Sequence, residues 1–192
     1  MIEIIKRAEE KLKDHPNRLK HVIGVAETAV KLALIHGVDP DKARIAGYWH
    51  DTSKYDDIHT QTKDLDTETI ERYKTHPVIY HALAAAKSLE REFGIHDEEI
   101  LSAIRCHVWG NKVMSTLDKI IFVADSCEPN RGFEDSMMVF QLATEDLDQA
   151  MIYCMKQSIE HVIDKGKTPS IDQLEAYEYH MEEKRGKTQH TH

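Results

Sequence analysis

Residues 16 to 36 carry Leu19, Val22, Ile23, Ala26, Ala29, Val30, Ala33 and Leu34 at helical spacing, between Pro16 and Gly37. Apolar residues three and four apart line one side of a helix. Proline suits a first turn and glycine the position past the last one, so this segment is a helix with a face to bury. A second follows at once: Asp39 and Pro40 read as N-cap and first turn of a helix running through Ala43, Ala46 and Trp49 to the pair His50-Asp51. Further helices are expected near 67–73, from Pro77 to Phe93 with Gly94 as its stop, and over 97–108 behind the acids Asp97, Glu98 and Glu99. Ser115 caps another, TLDKIIFVAD, and the series closes near 136–143, 145–164 and 170–182. The polar stretch TSKYDDIHTQTKDLD and the turn EPNRGFED read as loops. No segment alternates with the period of a strand, and no repeat or flexible linker breaks the series. The expected fold is all-α, one helical domain over 1–183 followed by a polar tail, 184–192.

A chain of 192 residues is long enough for one compact domain with a real core. Its net charge of −9 argues against a general nucleic-acid binder, so any anionic substrate must be drawn by local positive charge. Cys106, Cys127 and Cys154 lie far apart and spell neither a disulfide framework nor a thiolate zinc site, which fits a reducing cytoplasm. The amphipathic start MIEIIKRAEEKLKDH is not a signal peptide. No apolar run approaches the roughly 20 residues of a membrane span, so a soluble cytoplasmic protein without a membrane partner is expected.

The chain has 13 histidines, of which His190 and His192 belong to the polar tail. His21 has Gly24 one turn later and His50 has Gly47 one turn earlier, so each shares its helix face with a residue lacking a side chain. Glycine inside a helix costs about 1 kcal/mol relative to alanine, which calls for a packing or functional reason. A single histidine on an apolar face is ordinarily a hydrogen-bonded structural residue. Here, however, His81 lies mid-helix in IYHALAAAK, His107 near a helix end, and Asp125 near the end of the very apolar IIFVAD. A carboxylate there is costly to bury unless paired or coordinated. His21, His50, His81 and His107 with Asp51 and Asp125 make a mixed nitrogen and oxygen donor set, suited to iron, manganese, zinc or cobalt rather than calcium. Six donors exceed the needs of one catalytic ion. Two divalent ions bridged by one carboxylate would use them all.

The order His21, His50-Asp51, His81, His107, Asp125 resembles that of the HD-domain metal-dependent phosphohydrolases. More narrowly, RLKHVIGV, HDTSKY, YHALAAAK, IRCHVWGNKVMSTLDKIIFVAD and SCEPNR are similar to the bacterial HD-type symmetrical diadenosine tetraphosphate hydrolases, over the span from Arg18 to the helix near Ile163. The resemblance implies an HD-type helical bundle with a two-metal centre, usually described with iron, that hydrolyses dinucleoside polyphosphates to two nucleoside diphosphates. His76, followed by Pro77, is a rival third histidine, because other HD branches use such a pair; the flanking sequence favours His81. The chain departs from the family pattern at Leu83 and Ala85, where Pro and Gly are common, and at Val108, where Thr is. Alanine near the metals implies a narrower pocket, and valine a missing hydroxyl.

Two divalent ions lower the pKa of a bridging water and clamp phosphoryl oxygens, so no protein nucleophile is needed. Asp51 and Lys54 are then the candidate catalytic residues, and Arg18, Lys54 and Arg131 the candidate phosphate contacts, against ordinary roles as a loop lysine and surface salt bridges. Glu128 is placed to orient a metal ligand or merely to cap a turn. GKT at 166–168 fails as a P-loop, Cys106 reads as a small buried residue, and Trp49, Trp109 and the methionines read as core. The substrate expected is a dinucleoside polyphosphate; an HD-type nucleotidase or phosphodiesterase on another nucleotide is the alternative, and a non-catalytic helical interaction module a third. A monomer and a homodimer both remain open.

Overall fold

The structure is a computed structural model, and it describes residues 1–132 and 134–189, the side chains of 187–189 excepted. Eleven α-helices run in order among these residues: α1 (Ile2–Leu12), α2 (Pro16–His36), α3 (Pro40–Trp49), α4 (Ile58–Thr62), α5 (Thr67–Tyr73), α6 (Tyr80–Phe93), α7 (Glu98–Cys106), α8 (Thr116–Cys127), α9 (Ser136–Glu145), α10 (Leu147–Asp164) and α11 (Ile171–Gln189). There is no strand among the described residues, and none of their helices is long and apolar enough to cross a membrane. His190 and His192 lie outside the described residues.

Helix α8 is the most enclosed. Ile120, Ile121, Val123 and Ala124 have no exposed surface, and the helix packs against α2, α3, α7, α9 and α10. Burying each large aliphatic side chain contributes about 1.5–3 kcal/mol. Its start is fixed by a capping box: the Ser115 hydroxyl accepts from the Asp118 amide while the Asp118 carboxylate accepts from the Ser115 amide. Helix α2 stops at Gly37, whose φ of 69° is left-handed, and α3 restarts two residues later with the Asp39 side chain accepting from the Asp41 amide. That tight connection lays α3 along α2 and brings the residues after Trp49 beside His21.

Three boundaries differ from the sequence expectation. Helix α4 occupies part of the expected loop. Its five residues are held by an Asp57 N-cap and by buried Gln61, whose amide donates to the carbonyls of Ser53 and Asp56. The helix expected from Pro77 opens as a 3-10 turn over Pro77–Ile79, and α6 proper begins at Tyr80. Helix α11 continues to Gln189, past the expected end and into the stretch read as tail.

The α2–α3 contact depends on Gly47. A Cβ there would lie 2.5 Å from the Ala26 Cα, and backbone cannot yield as a side chain tip can. Gly47→Ala is therefore expected to destabilise the fold by about 1–3 kcal/mol, read as a lower urea midpoint in chemical denaturation.

Candidate metal centre

His21 from α2, His50 and Asp51 from the end of α3, His81 from α6, His107 from the end of α7 and Asp125 from α8 converge on one place in the interior. Asp51 is 2% exposed and His50 not at all. The two carboxylate oxygens of Asp51 face different histidines. Oδ1 lies 3.0 Å from His81 Nε2 and 3.5 Å from His107 Nε2, whereas Oδ2 lies 3.7 Å from His50 Nε2 and 4.0 Å from His21 Nε2. Asp125 Oδ1 joins the second half, 2.9 Å from His21 Nε2 and 3.7 Å from His50 Nε2. Two groups of donor atoms result, His21 with His50 and Asp51, and Asp51 with His81 and His107; within each, all atoms lie within 4.8 Å of one another.

His21 Nε2, His50 Nε2 and Asp51 Oδ1 are buried without an aligned hydrogen-bond partner, despite these short approaches. Atoms aimed at a shared centre come close without pointing at each other. Each such orphan costs about 1–3 kcal/mol in a dry interior, and a cation at the centre removes that cost. The residues present therefore fit divalent cations.

The histidines are oriented by groups the fold would otherwise leave idle. His50 and His107 sit at the C-caps of α3 and α7, where the last carbonyls lack intrahelical donors. Each Nδ1–H donates 2.7 Å to the carbonyl three residues back, Gly47 and Ile104, which leaves Nε2 as the lone-pair nitrogen turned to the centre. His21 donates Nδ1–H to Glu128 Oε1 at 3.0 Å, and Glu128 Oε2 is held by the amide and side chain of Asn130. Glu128 is fully buried and reaches this place only because position 24 is glycine: a Cβ there would stand 2.1 Å from Oε2. The glycine one turn after His21 thus makes room for the residue that orients His21, while Gly47 makes room for α2.

Burial opposes the charge on Asp51, but His50, His107, His81 and the Lys54 ammonium outweigh it and hold the carboxyl well below the usual range. Asp125 is likewise penalised by burial and held well below that range by Arg131, His21 and His50. Burial pushes His50 down to about 3 and His81 to about 4, so both are neutral at physiological pH, as ligands must be.

Three cationic side chains close the centre. Arg18 Nη1 lies 2.6 Å from Asp51 Oδ2; Lys54 Nζ donates to His81 Nε2 at 3.2 Å and stands 3.7 Å from Asp51 Oδ1. Arg131 donates Nε–H to the Asp125 carbonyl at 2.8 Å and pairs through its guanidinium with the Asp125 carboxylate. All three are partly buried rather than surface pairs.

Other residues singled out in the sequence lie elsewhere. His76 is half-buried away from the centre and its Nε2 donates to the Thr168 carbonyl, so of the two rival histidines only His81 reaches the centre. Ala85 does not narrow the metal pocket: it lies in the core, where the Trp49 indole donates to its carbonyl at 2.9 Å. Leu83 packs with Tyr80 and Trp109 in a separate small cluster, and Val108 borders a cavity beside His107. The Cys106 thiol is buried and pushed up to about 11, which removes it as a nucleophile. Sequence reasoning missed the part of Asn130, because nothing in its spacing shows that it would clamp the carboxylate two residues before it.

This arrangement of paired histidine and aspartate donors on a helical bundle is that of a metal-dependent hydrolase class, and the chain belongs to the HD-domain family, whose model matches residues 18–130. It is a hydrolase of that family, and divalent-metal binding follows from the membership together with the donor clusters. A relative in Bacillus subtilis, a symmetrical bis(5'-nucleosyl)-tetraphosphatase, is 34% identical over 92% of this chain and 95% of its own. A protein of the same name in Halalkalibacterium halodurans is 36% identical over 84% of this chain and 87% of its own. Among solved structures, a predicted HD superfamily hydrolase involved in NAD metabolism from Clostridium acetobutylicum is 34% identical. It superposes with a TM-score of 0.86 over 94% of this chain and 96% of its own.

In metal-free protein the neutral histidines set the acid limit of stability. Unfolded histidine takes a proton near pH 6.5, whereas His50 and His81 in the fold do so only near 3 and 4, so the unfolded state binds more protons as the pH falls. The depressed carboxyls act in the same direction at lower pH. Stability is thus expected to be full above about pH 6.5 and to drop steadily from there towards pH 4, measured as the urea midpoint of chelator-treated protein.

Proposed function

We propose that the protein is a dinuclear metal hydrolase that cleaves diadenosine tetraphosphate symmetrically into two molecules of ADP. The observation that carries this reading is the two-sided Asp51, one oxygen turned to His81 and His107 and the other to His21 and His50. His21, His50, Asp51 and Asp125 would hold one divalent cation, and Asp51, His81 and His107 a second, with iron foremost and manganese, cobalt or zinc able to substitute. Such cations, when bound, lower the pKa of water towards neutrality and neutralise phosphoryl oxygens. The relatives in B. subtilis and H. halodurans, named as symmetrical bis(5'-nucleosyl)-tetraphosphatases, support the choice of reaction.

The chain's own residues supply orientation and charge. Gly47, Ile104 and Glu128 lock three imidazoles with Nε2 inward, so the donor set is formed before substrate arrives. Lys54, with 30% of its side chain exposed, and Arg18 and Arg131, both partly exposed, stand where phosphate oxygens would meet the centre. Their hydrogen bonds would stabilise charge on the transferred and departing phosphates. Water attacking one of the two central phosphorus atoms, with cleavage of the central P–O–P bond, would leave one nucleoside diphosphate on the attacked phosphorus and expel the other. A second reading keeps the centre and changes the nucleotide, and is favoured by the C. acetobutylicum neighbour described as involved in NAD metabolism.

With iron-loaded protein and diadenosine tetraphosphate, chromatography is expected to show ADP as the sole nucleotide product; ATP and AMP in equal amounts would overturn symmetrical cleavage. Asp51→Ala is expected to lower kcat/KM more than about a hundredfold and to abolish stoichiometric metal binding. Glu128→Gln should weaken metal affinity about 10–100-fold while leaving the fold intact. Simple phosphate monoesters, with fewer oxygens for the three cations, should turn over more slowly. A protein that carries no stoichiometric metal and loses no stability on chelation would instead be the non-catalytic helical module.

A further inference from the structure

A cavity of about 290 Å³ opens against the Asp125 flank of the centre. His107, Asp125 and Arg131 form its end nearest the donor cluster, so a phosphate held there would lead what it carries into the cavity. Phe122 of α8 and Val139 of α9 give it apolar walls, and α10 closes it with Tyr153 and Gln157. Small-molecule sites run from about 300 Å³ upwards, so this one has room for a single nucleoside and not for two.

The polar groups on α10 are ordered by their chemistry. Tyr153 has one proton to give, and the Asp135 carboxylate can only accept, so the hydroxyl donates to Asp135 Oδ2 at 2.8 Å. The Tyr153 oxygen must then accept from Gln157, whose Nε2 lies 2.9 Å away. With its amino group committed, Gln157 keeps the carbonyl oxygen as its outward group, and Oε1 has no partner among the described residues. The carboxylate raises the pKa of the Tyr153 hydroxyl, as expected of a phenol donating to an anion. A fixed acceptor beside the apolar walls of Phe122 and Val139 suits a ligand with a flat apolar face and an amino group at its edge.

We propose that this cavity takes one nucleoside of the nucleotide substrate and that Gln157 Oε1 accepts from the 6-amino group of adenine, so that the protein distinguishes adenine from hypoxanthine. The inference rests on the metal-centre reading for the position of the phosphates. Hypoxanthine presents an oxygen where adenine presents the amine, and two acceptors facing each other repel. Since the cavity holds one nucleoside, a nucleoside diphosphate should fill it as well as a longer nucleotide does.

The test is calorimetric titration of the manganese-loaded full-length protein with ADP, IDP and inorganic pyrophosphate. ADP is expected to bind about tenfold tighter than IDP, the effect of one hydrogen bond gained or opposed, and tighter than pyrophosphate. Gln157 is exposed, so Gln157→Leu should leave the thermal midpoint unmoved while bringing ADP down to the level of IDP and leaving pyrophosphate unchanged. Tyr153→Phe frees the Gln157 amide to turn, and should narrow the preference by tightening IDP. Equal binding of ADP and IDP to the unsubstituted protein, ADP no tighter than pyrophosphate, or a Gln157→Leu loss shared by all three ligands would each overturn the proposal. The two readings fail separately. A clear ADP preference in a protein that releases ATP and AMP refutes the proposed reaction alone, whereas ADP as sole product with no base preference refutes the nucleoside cavity alone.

Discussion

Burying an ionised carboxylate without partners costs several kcal/mol, and Asp51 is almost wholly buried. The surrounding structure is arranged so that its charge is met from both sides. Oδ2 faces Arg18 and the His21–His50 pair; Oδ1 faces Lys54 and the His81–His107 pair. These groups come from four separate helices, α2, α3, α6 and α7, so the arrangement cannot form locally. It exists only once α2, α3, α6, α7 and α8 have packed. The apolar burial of α8 is therefore what holds the polar centre together, since that helix touches α2, α3 and α7 at once.

Helix ends and glycines convert that packing into direction. An imidazole in mid-helix has no spare carbonyl nearby, but one at a C-cap does, and His50 and His107 both use it. His21 lies within α2, where the backbone is already paired, so its orienting group must come from another element. That group is Glu128, admitted by Gly24 and pinned by Asn130. Two different local solutions give the same result, an Nε2 turned inward.

Much of this was legible in the sequence, for physical reasons that differ from residue to residue. The helices α2 and α3 announce themselves through apolar spacing and their proline and glycine ends. Gly24 and Gly47 stand out because glycine is costly inside a helix, and both turn out to sit at close approaches. Asp125 stands out as a charge on an apolar helix. By contrast, α4 has no apolar period, because what anchors it is the buried amide of Gln61 and not a hydrophobic face. Ala85 is expected near the metals because the family pattern commonly has Gly there, just after the third histidine. Its position is decided instead by the Trp49 indole, a long-range partner that spacing does not show. The Tyr153–Gln157 pair lies more than two dozen residues beyond Asp125 on a helix of ordinary composition, and only tertiary packing brings it to the cavity.

The charge balance of the centre bears on how a chain of net charge −9 would receive the proposed polyanionic substrate. Asp51, Asp125 and Glu128 are met by Arg18, Lys54 and Arg131, with His50 and His81 neutral. The protein side chains alone thus come close to cancelling, and they offer a polyphosphate little net attraction. Each divalent cation would add two positive charges at the one place where they are wanted, in a setting that screens them weakly. Placing the positive charge on ions rather than on lysines keeps the rest of the surface acidic and unattractive to nucleic acid. In the proposed reaction, recognition of the substrate would depend on the same ions that activate its cleavage.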